Sequence, residues 1–383
     1  MCNSWLNCLM PLLIITLFLI DLLSLAILFI DYKLWREWHE FRNTAADDYA
    51  DRCLYGAIAL LAFGTLGRYP MILLFSKRRK NEDEPSMTEY EKTSVLKRPD
   101  GTALHIAESG NPNGQPIVFV HGWNTTKQEW YYQRKYFSKD HRLIFFDLPG
   151  LGKSTRPSNK DFSLSKMAKD LHAVIEHTNA KEPILWGHSI GGMIILTLVA
   201  KHKELIQGNI KALILEHTTY TNPVKTIMFS KLMTAIQKPV LQPLCYLLIG
   251  LSPIVWIMRW MSFLNGNSHI FTRLLTFTGT QTPRQLGFVT LLSTLAPPAV
   301  TARGVLGMFK YDVTEQLGSI QIPTVIIAAN KDRLTKPSAS QHLYEFIPGS
   351  QLVTVKPGGH QGLIERHEQV NEAVAKAISS LRS

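Results

Sequence analysis

The chain has 383 residues, enough for one large domain or two ordinary ones around a sizeable core. Lys and Arg outnumber Asp and Glu by 41 to 30, a formal net charge of +11, but no Arg/Lys stripe with interleaved aromatics is present. That balance excludes an obvious nucleic-acid binder and reads instead as a cation-rich face toward anionic lipid headgroups.

In chain order, the first feature is the apolar run Met10 to Ile30, close to the roughly 20 residues a helix needs to cross a hydrocarbon core. It carries one charge, Asp21. No basic region precedes it and no small-x-small cleavage site closes it, so it reads as a retained anchor rather than a signal peptide. A second run, Leu54 to Phe75, is interrupted by Arg68, Tyr69 and Pro70, and suits either a second span or a re-entrant segment. The "SKRRK" after it favours the cytoplasmic side, although Lys33, Arg36, Arg42 and Arg52 also lie between the runs. Residues 1–76 are thus expected to be a membrane anchor, drawn as a hairpin with the rest of the chain facing the cytoplasm. Four cysteines, Cys2, Cys8, Cys53 and Cys245, are too few and too scattered for a disulfide framework or a zinc site. Cys2 and Cys8 are candidates for acylation, or plain membrane-flanking thiols.

Residues 77–94 are charged, contain a proline and show no periodicity, as a tether would. From Val95, short runs rich in Val, Ile, Leu and Phe alternate with helical patterns, the βα rhythm of a mostly parallel sheet. The runs "PIVFVHG", "RLIFFDLPG", "PILWGHS", "ALILEHT", "PTVIIAANKD" and "LVTVKPGGH" lack alternation, as strands buried on both faces do. Between the fourth and fifth of these, about Thr219 to Tyr311, the pattern is helical and unusually apolar. Pro239, Pro243 and Pro253 are expected to cut it into the short helices of a cap, with a third membrane element as the alternative.

The stretch "DLPGLGKST", Asp147 to Thr155, ends like a phosphate-binding loop. Such a loop needs glycine where Asp147 stands, so a nucleotide site is excluded. Asp147 is read as a turn residue, Lys153 as a surface cation, and Ser154 as a hydrogen-bonding group within the turn.

"WGHSIGG" follows the strand "PILW" and precedes the helical run "MIILTLVAKH". Strand, sharp turn and helix with Ser189 at the apex make a nucleophile elbow. A serine hydroxyl needs a base to take its proton and a third group to orient that base. His360, after the last strand, is the candidate base, and Asp332, ending "TVIIAANKD", the candidate acid. Glu216, ending "ALILE", is the alternative acid. His121, His188 and His217 occupy motif positions with other roles.

With these motifs the segment from Val95 to Ser383 resembles the α/β-hydrolases. The resemblance implies a mostly parallel eight-stranded sheet flanked by helices, with a helical cap inserted at about 219–311. It also implies an oxyanion hole built from the backbone N–H groups of Ile190 and Trp123, with His121-Gly122 as its HG turn, and no metal or organic cofactor. Dehalogenases and epoxide hydrolases of this fold carry Asp at the elbow. Ser189 therefore points to an acyl-enzyme, not an alkyl-enzyme ester. The expected protein is a membrane-anchored serine hydrolase cleaving carboxylic esters of lipids or other lipophilic acyl compounds, similar in architecture to monoacylglycerol-lipase-like members. Its partners would be membrane lipids and the ester substrate, not nucleic acid or nucleotide. Acyl transfer, C–C bond hydrolysis and perhydrolysis use the same triad, and a non-enzymatic lipid-binding scaffold could share the fold.

Overall fold

Eight strands form one sheet in the order β1-β2-β4-β3-β5-β6-β7-β8. They are β1 (Lys92–Lys97), β2 (Ala103–Gly110), β3 (Gln115–Val120), β4 (His141–Phe146), β5 (Ile184–His188), β6 (Ala212–Glu216), β7 (Thr324–Ala329) and β8 (Gln351–Val355). β2 pairs antiparallel with β1 and β4, and every other pairing is parallel. The computed structural model describes residues 26–77, 83–205 and 210–380. The anchor expected at 10–30, with Asp21, and the two cysteines Cys2 and Cys8 fall outside these residues except for the end of the apolar run, and residues 26–41 are helical.

Alternation along each central strand divides the core in two. Val118, Val120, Leu185, Leu213 and Ile326 face one cluster, completed by the helices Leu164–His177 and Ile190–Lys201. Ile117, Phe119, Ile184, Trp186, Ile214 and Ile327 face the other, closed by Val370 and Val374 of the helix His367–Ser380. Helix Leu164–His177 starts where the Ser163 hydroxyl accepts the Lys166 N–H, and it buries Leu164, Met167, Leu171 and Val174, one helical face. Helix Ile190–Lys201 is buried from Ile190 to Ala200, which is why its sequence has no polar face.

Between β6 and β7 the chain builds a helical cap. Ser230–Gly250 is one helical run of 21 residues, contrary to the expectation that Pro239 and Pro243 would break it. Residues Gln237–Leu241 widen into a π turn around Pro239, and Pro243 falls in the first turn of the α-helical stretch that follows. A widened turn accommodates the missing N–H without ending the helix. The break comes at Leu251, after which Pro253 opens the helix Ser252–Asn265. Helices Asn267–Thr276, Pro283–Leu295 and Pro298–Met308 complete the cap.

The second apolar run is a bent pair, not a straight span. Helices Asp47–Leu66 and Arg68–Leu74 meet at Gly67 with a bend of 57°. The pair rests on the cap: Leu60, Leu61 and Gly64 share a cavity of about 130 Å³ with Met261 and Leu264. A Cβ on Gly67 would come within 2.5 Å of the Asn265 carbonyl oxygen. Tyr55, Ile58, Leu61, Leu66 and Leu74 stay exposed. By length and composition, Ser230–Gly250 alone among the described helices could cross a membrane unaided; this bent pair, and the cap pair Pro283–Leu295 and Pro298–Met308 with its bend of 89°, could do so only if the two parts of each count as one span.

The sheet begins at Lys92, before the boundary expected near Val95, and part of the expected tether is fastened down. Asp83 accepts the Tyr131 hydroxyl at 3.0 Å and pairs with Lys135 at 2.8 Å, while Thr88 exchanges hydrogen bonds with Gln128.

Candidate active site

β5 ends in a turn whose apex, Ser189, has φ 53° and ψ −119°. An L-residue there is strained, so its surroundings must impose the conformation. Ser189 N–H donates to the Glu216 carbonyl at 2.9 Å, and its own carbonyl accepts Gly192 N–H at 3.0 Å and the Thr218 hydroxyl at 2.6 Å. Glycine is obligatory on both sides for steric reasons. A Cβ on Gly191 would lie 2.0 Å from the Val120 oxygen, and one on Gly187 would lie 2.4 Å from the Gly191 carbonyl carbon.

β6, β7 and β8 lie side by side, so the loops after β7 and β8 meet at one end of the sheet. There His360 Nδ1 donates to Asp332 Oδ2 at 2.8 Å. The other Asp332 oxygen accepts the N–H groups of Leu334 (2.8 Å) and Thr335 (2.9 Å), and the Thr335 hydroxyl reaches Oδ2 at 2.7 Å. Burial by itself would raise the Asp332 pKa, but the attraction of His360 and these donors hold it below the ordinary carboxylate range. An ionised acceptor at Nδ1 fixes the proton there and leaves Nε2 as the free base. The remaining link, from His360 Nε2 to the Ser189 hydroxyl, is not closed as a hydrogen bond in this structure, and such contacts commonly tighten only with substrate.

Glu216, the alternative acid, is elsewhere. Its Oε2 accepts the Trp186 indole N–H at 2.8 Å, and burial lifts its pKa to about 7. No hydrogen bond joins it to His360 among the described residues. Next to it, His217 is held neutral by burial, its pKa pushed down to about 3.

The residues expected to form the oxyanion hole lie at neighbouring strand ends, because Val120 of β3 is in register with Gly187 of β5. Ile190 is the first residue of its helix, so its N–H has no intrahelical carbonyl. Trp123 is pinned through its side chain. Its indole N–H donates to the Thr301 carbonyl at 3.0 Å, and the ring lies so close to Gly304 that a Cβ there would approach Cζ2 to 1.9 Å. His121 is buried, which lowers its pKa, and its Nε2 accepts the Leu148 N–H at 2.9 Å.

One group in the site escaped the sequence reading. Glu129 is fully buried, and accepts the Gly122 N–H at 2.6 Å and the Thr125 hydroxyl at 2.6 Å. His188, also buried, places Nδ1 3.3 Å from Glu129 and Nε2 3.0 Å from the His360 carbonyl oxygen. Both ring nitrogens face acceptors, so both must carry protons and the ring is an imidazolium. Burial opposes that charge, but the Glu129 carboxylate outweighs it and His188 is raised to about 9. The pair ties the loop after β3, the elbow and the His360 loop together. Nothing in "TTKQEW" marks Glu129 as buried.

Asp147 plays a comparable part in "DLPGLGKST". Its carboxylate accepts the N–H groups of Lys127 and Lys153, each at 2.9 Å, and pairs with the buried Lys127 ammonium. The loop wraps so tightly that a Cβ on Gly152 would lie 2.3 Å from the carboxyl carbon. Ser154 donates to the Asp147 carbonyl at 2.7 Å, and Lys153 is exposed.

A sequence profile of the family described as alpha/beta hydrolase fold matches residues 115–235. Over 289 residues the chain is 24% identical to the AB hydrolase superfamily protein YisY of Bacillus subtilis (strain 168), covering 74% of this chain and 98% of that one. A thermophilic esterase from Thermogutta terrifontis superposes with a TM-score of 0.61 at 20% identity, over 76% of this chain and all (100%) of its own. An esterase from Exiguobacterium antarcticum does so with a TM-score of 0.59 at 22% identity, over the same shares, 76% and 100%.

Proposed function

The chain is an α/β hydrolase by fold, and from that premise we propose that it cleaves carboxylic esters through an acyl-enzyme on Ser189. The observation that carries the reading is the His360–Asp332 bond of 2.8 Å, with Asp332 held by three further donors, at the sheet end where the strained Ser189 sits. In this mechanism His360 Nε2 takes the Ser189 proton as Oγ attacks the ester carbonyl. The carbonyl oxygen becomes an oxyanion between the N–H groups of Ile190 and Trp123, each worth about 3 kcal/mol in the transition state. Collapse expels the alkoxide, which takes the proton from His360. Water, deprotonated by the same nitrogen, then releases the acid and restores Ser189.

The substrate side of the proposal is an ester of a lipophilic acyl chain, hydrolysed at a membrane. Support comes from the apolar run 10–30 and from the outward-facing Leu232, Leu244, Leu247, Ile254 and Ile257 of the cap. A fluorophosphonate probe tests the chemistry: it should label the wild type and not Ser189→Ala, and equal labelling of both would overturn it. For the substrate, p-nitrophenyl octanoate should be hydrolysed faster than acetate in detergent micelles, and a preference for acetate would remove the lipophilic assignment.

A further inference from the structure

On the outer side of the elbow helix lies a groove of about 350 Å³ that contains none of the proposed catalytic residues. Lys160, Lys201, Arg303 and Lys310 line it. The one carboxylate in its wall, Asp161, accepts the Ser163 N–H at 2.9 Å. None of the four cations forms an ion pair among the described residues; Arg303 is half-buried and the three lysines are exposed. Four like charges around one concavity repel one another and focus a positive potential into it, an arrangement that an anion relieves.

Two further observations say which anion. Phe162, Leu164 and Leu306 add apolar surface to the lining beside the cations, which suits an amphiphile better than a bare ion. Its lip is Tyr246, 64% exposed, on the cap helix Ser230–Gly250. Of the residues in its most apolar stretch only 6% are buried, which leaves apolar side chains free to enter a membrane interface. We infer that the groove holds the phosphate of an anionic phospholipid, with the helix Ser230–Gly250 resting in the headgroup region of the same leaflet. The site also reaches the chemistry. Arg303 stands between Thr301, whose carbonyl holds the Trp123 indole, and Gly304, against which the ring rests. A lipid held by Arg303 therefore bears on the helix that positions the loop of the proposed oxyanion donor.

The inference takes its ligand from the membrane reading above but does not depend on the chemistry at Ser189. It can therefore be tested on Ser189→Ala as well as on the wild type. The full chain in neutral detergent micelles is titrated with fluorescent phosphatidylglycerol and, separately, fluorescent phosphatidylcholine. Phosphatidylglycerol should bind more tightly, and the triple variant Lys201→Gln/Arg303→Gln/Lys310→Gln should bind it roughly tenfold to a hundredfold more weakly, given what each cation contributes near an anionic lipid. Lys139→Gln/Lys181→Gln, exposed and outside both the groove and that helix, should leave binding unchanged. Equal affinity for the two lipids, or unchanged binding in the triple variant, overturns the site. Competition by inorganic phosphate or glycerol 3-phosphate as effective as by the lipid overturns the lipid as its source. Should the triple variant fail to fold, a photoactivatable phosphatidylglycerol on the wild type decides: label within residues 301–311 supports the site, and label confined elsewhere overturns it.

Discussion

Replacing Glu129 by Gln tests the claim that the centre of the site is built around a buried imidazolium. In the wild type, His188 must hold two protons because it faces a carboxylate and a carbonyl oxygen. Its pKa is raised to about 9 in the fold against the ordinary 6.5. The folded protein therefore keeps a proton that the unfolded chain releases above pH 6.5. Stability from this source is complete below pH 6.5 and declines as pH rises through about 9, at about 1.4 kcal/mol per pH unit. Over the 2.5 units between the two values the decline is roughly 3 kcal/mol. Gln at position 129 has the same size. Its oxygen takes the place of Oε1, which meets both the Gly122 N–H and His188 Nδ1, and its amide faces the Thr125 hydroxyl oxygen; with the carboxylate gone, burial outweighs the remaining attraction and a neutral His188 donates from Nε2 to the His360 carbonyl. The charge, and with it the pH dependence, disappears. Urea midpoints of both proteins, measured in detergent from pH 6 to 9.5, should converge or cross because only the wild type loses stability across this window. Glu129→Ala is the contrasting change. It strands the Gly122 N–H and the imidazolium and should cost about 3–5 kcal/mol at neutral pH. Parallel midpoint curves for the wild type and Glu129→Gln would refute the imidazolium.

Asp332→Asn should lower kcat on a p-nitrophenyl ester by about four orders of magnitude with little change in KM, because the amide no longer enforces the Nδ1–H tautomer. Glu216→Gln, which keeps the Trp186 contact, should stay within about tenfold of wild type; the reverse ranking would move the triad acid to β6. Gly304→Ala drives a methyl into the Trp123 ring, so kcat should fall by roughly a hundredfold through displacement of the loop, with the fold retained. Wild-type kcat in that variant would detach Trp123 from catalysis. His217, held neutral with a pKa of about 3, contributes stability that is complete above pH 6.5 and lost as pH falls toward 3. His217→Gln should flatten that acid limb in urea titrations, and an unchanged limb would show that His217 does not set it.

What the sequence disclosed followed from how local the constraint was. β3, β5, β6 and β7 were legible because burial on both faces leaves unbroken apolar runs. The elbow was legible because Gly187, Ser189 and Gly191 meet their steric demands within five residues. Asp332 and Glu216 could not be separated by sequence position, since one closely follows and the other ends adjacent strands, and only the loop after β8 brings His360 to one of them. β1 was placed late because an edge strand alternates exposed and half-buried residues and resembles the charged segment before it. Pro239 misled for a physical reason: proline forbids the ordinary hydrogen bond, but a π turn leaves out that bond and lets the helix continue. Glu129 was invisible because its partners come from Gly122, Thr125 and His188, and the last of these lies on a different strand.

The anchorage of Trp123 to the cap has a consequence for how this architecture could be re-engineered. A cap is usually treated as an exchangeable module that supplies the walls of the pocket while the sheet supplies the reaction. Here the helix Pro298–Met308 also grips the indole through Thr301 and leaves room for it at Gly304. A chimera with a relative's cap would inherit that relative's hold on the loop along with its pocket. Turnover and selectivity would then change together, and a graft that preserved only pocket shape would exchange one without keeping the other.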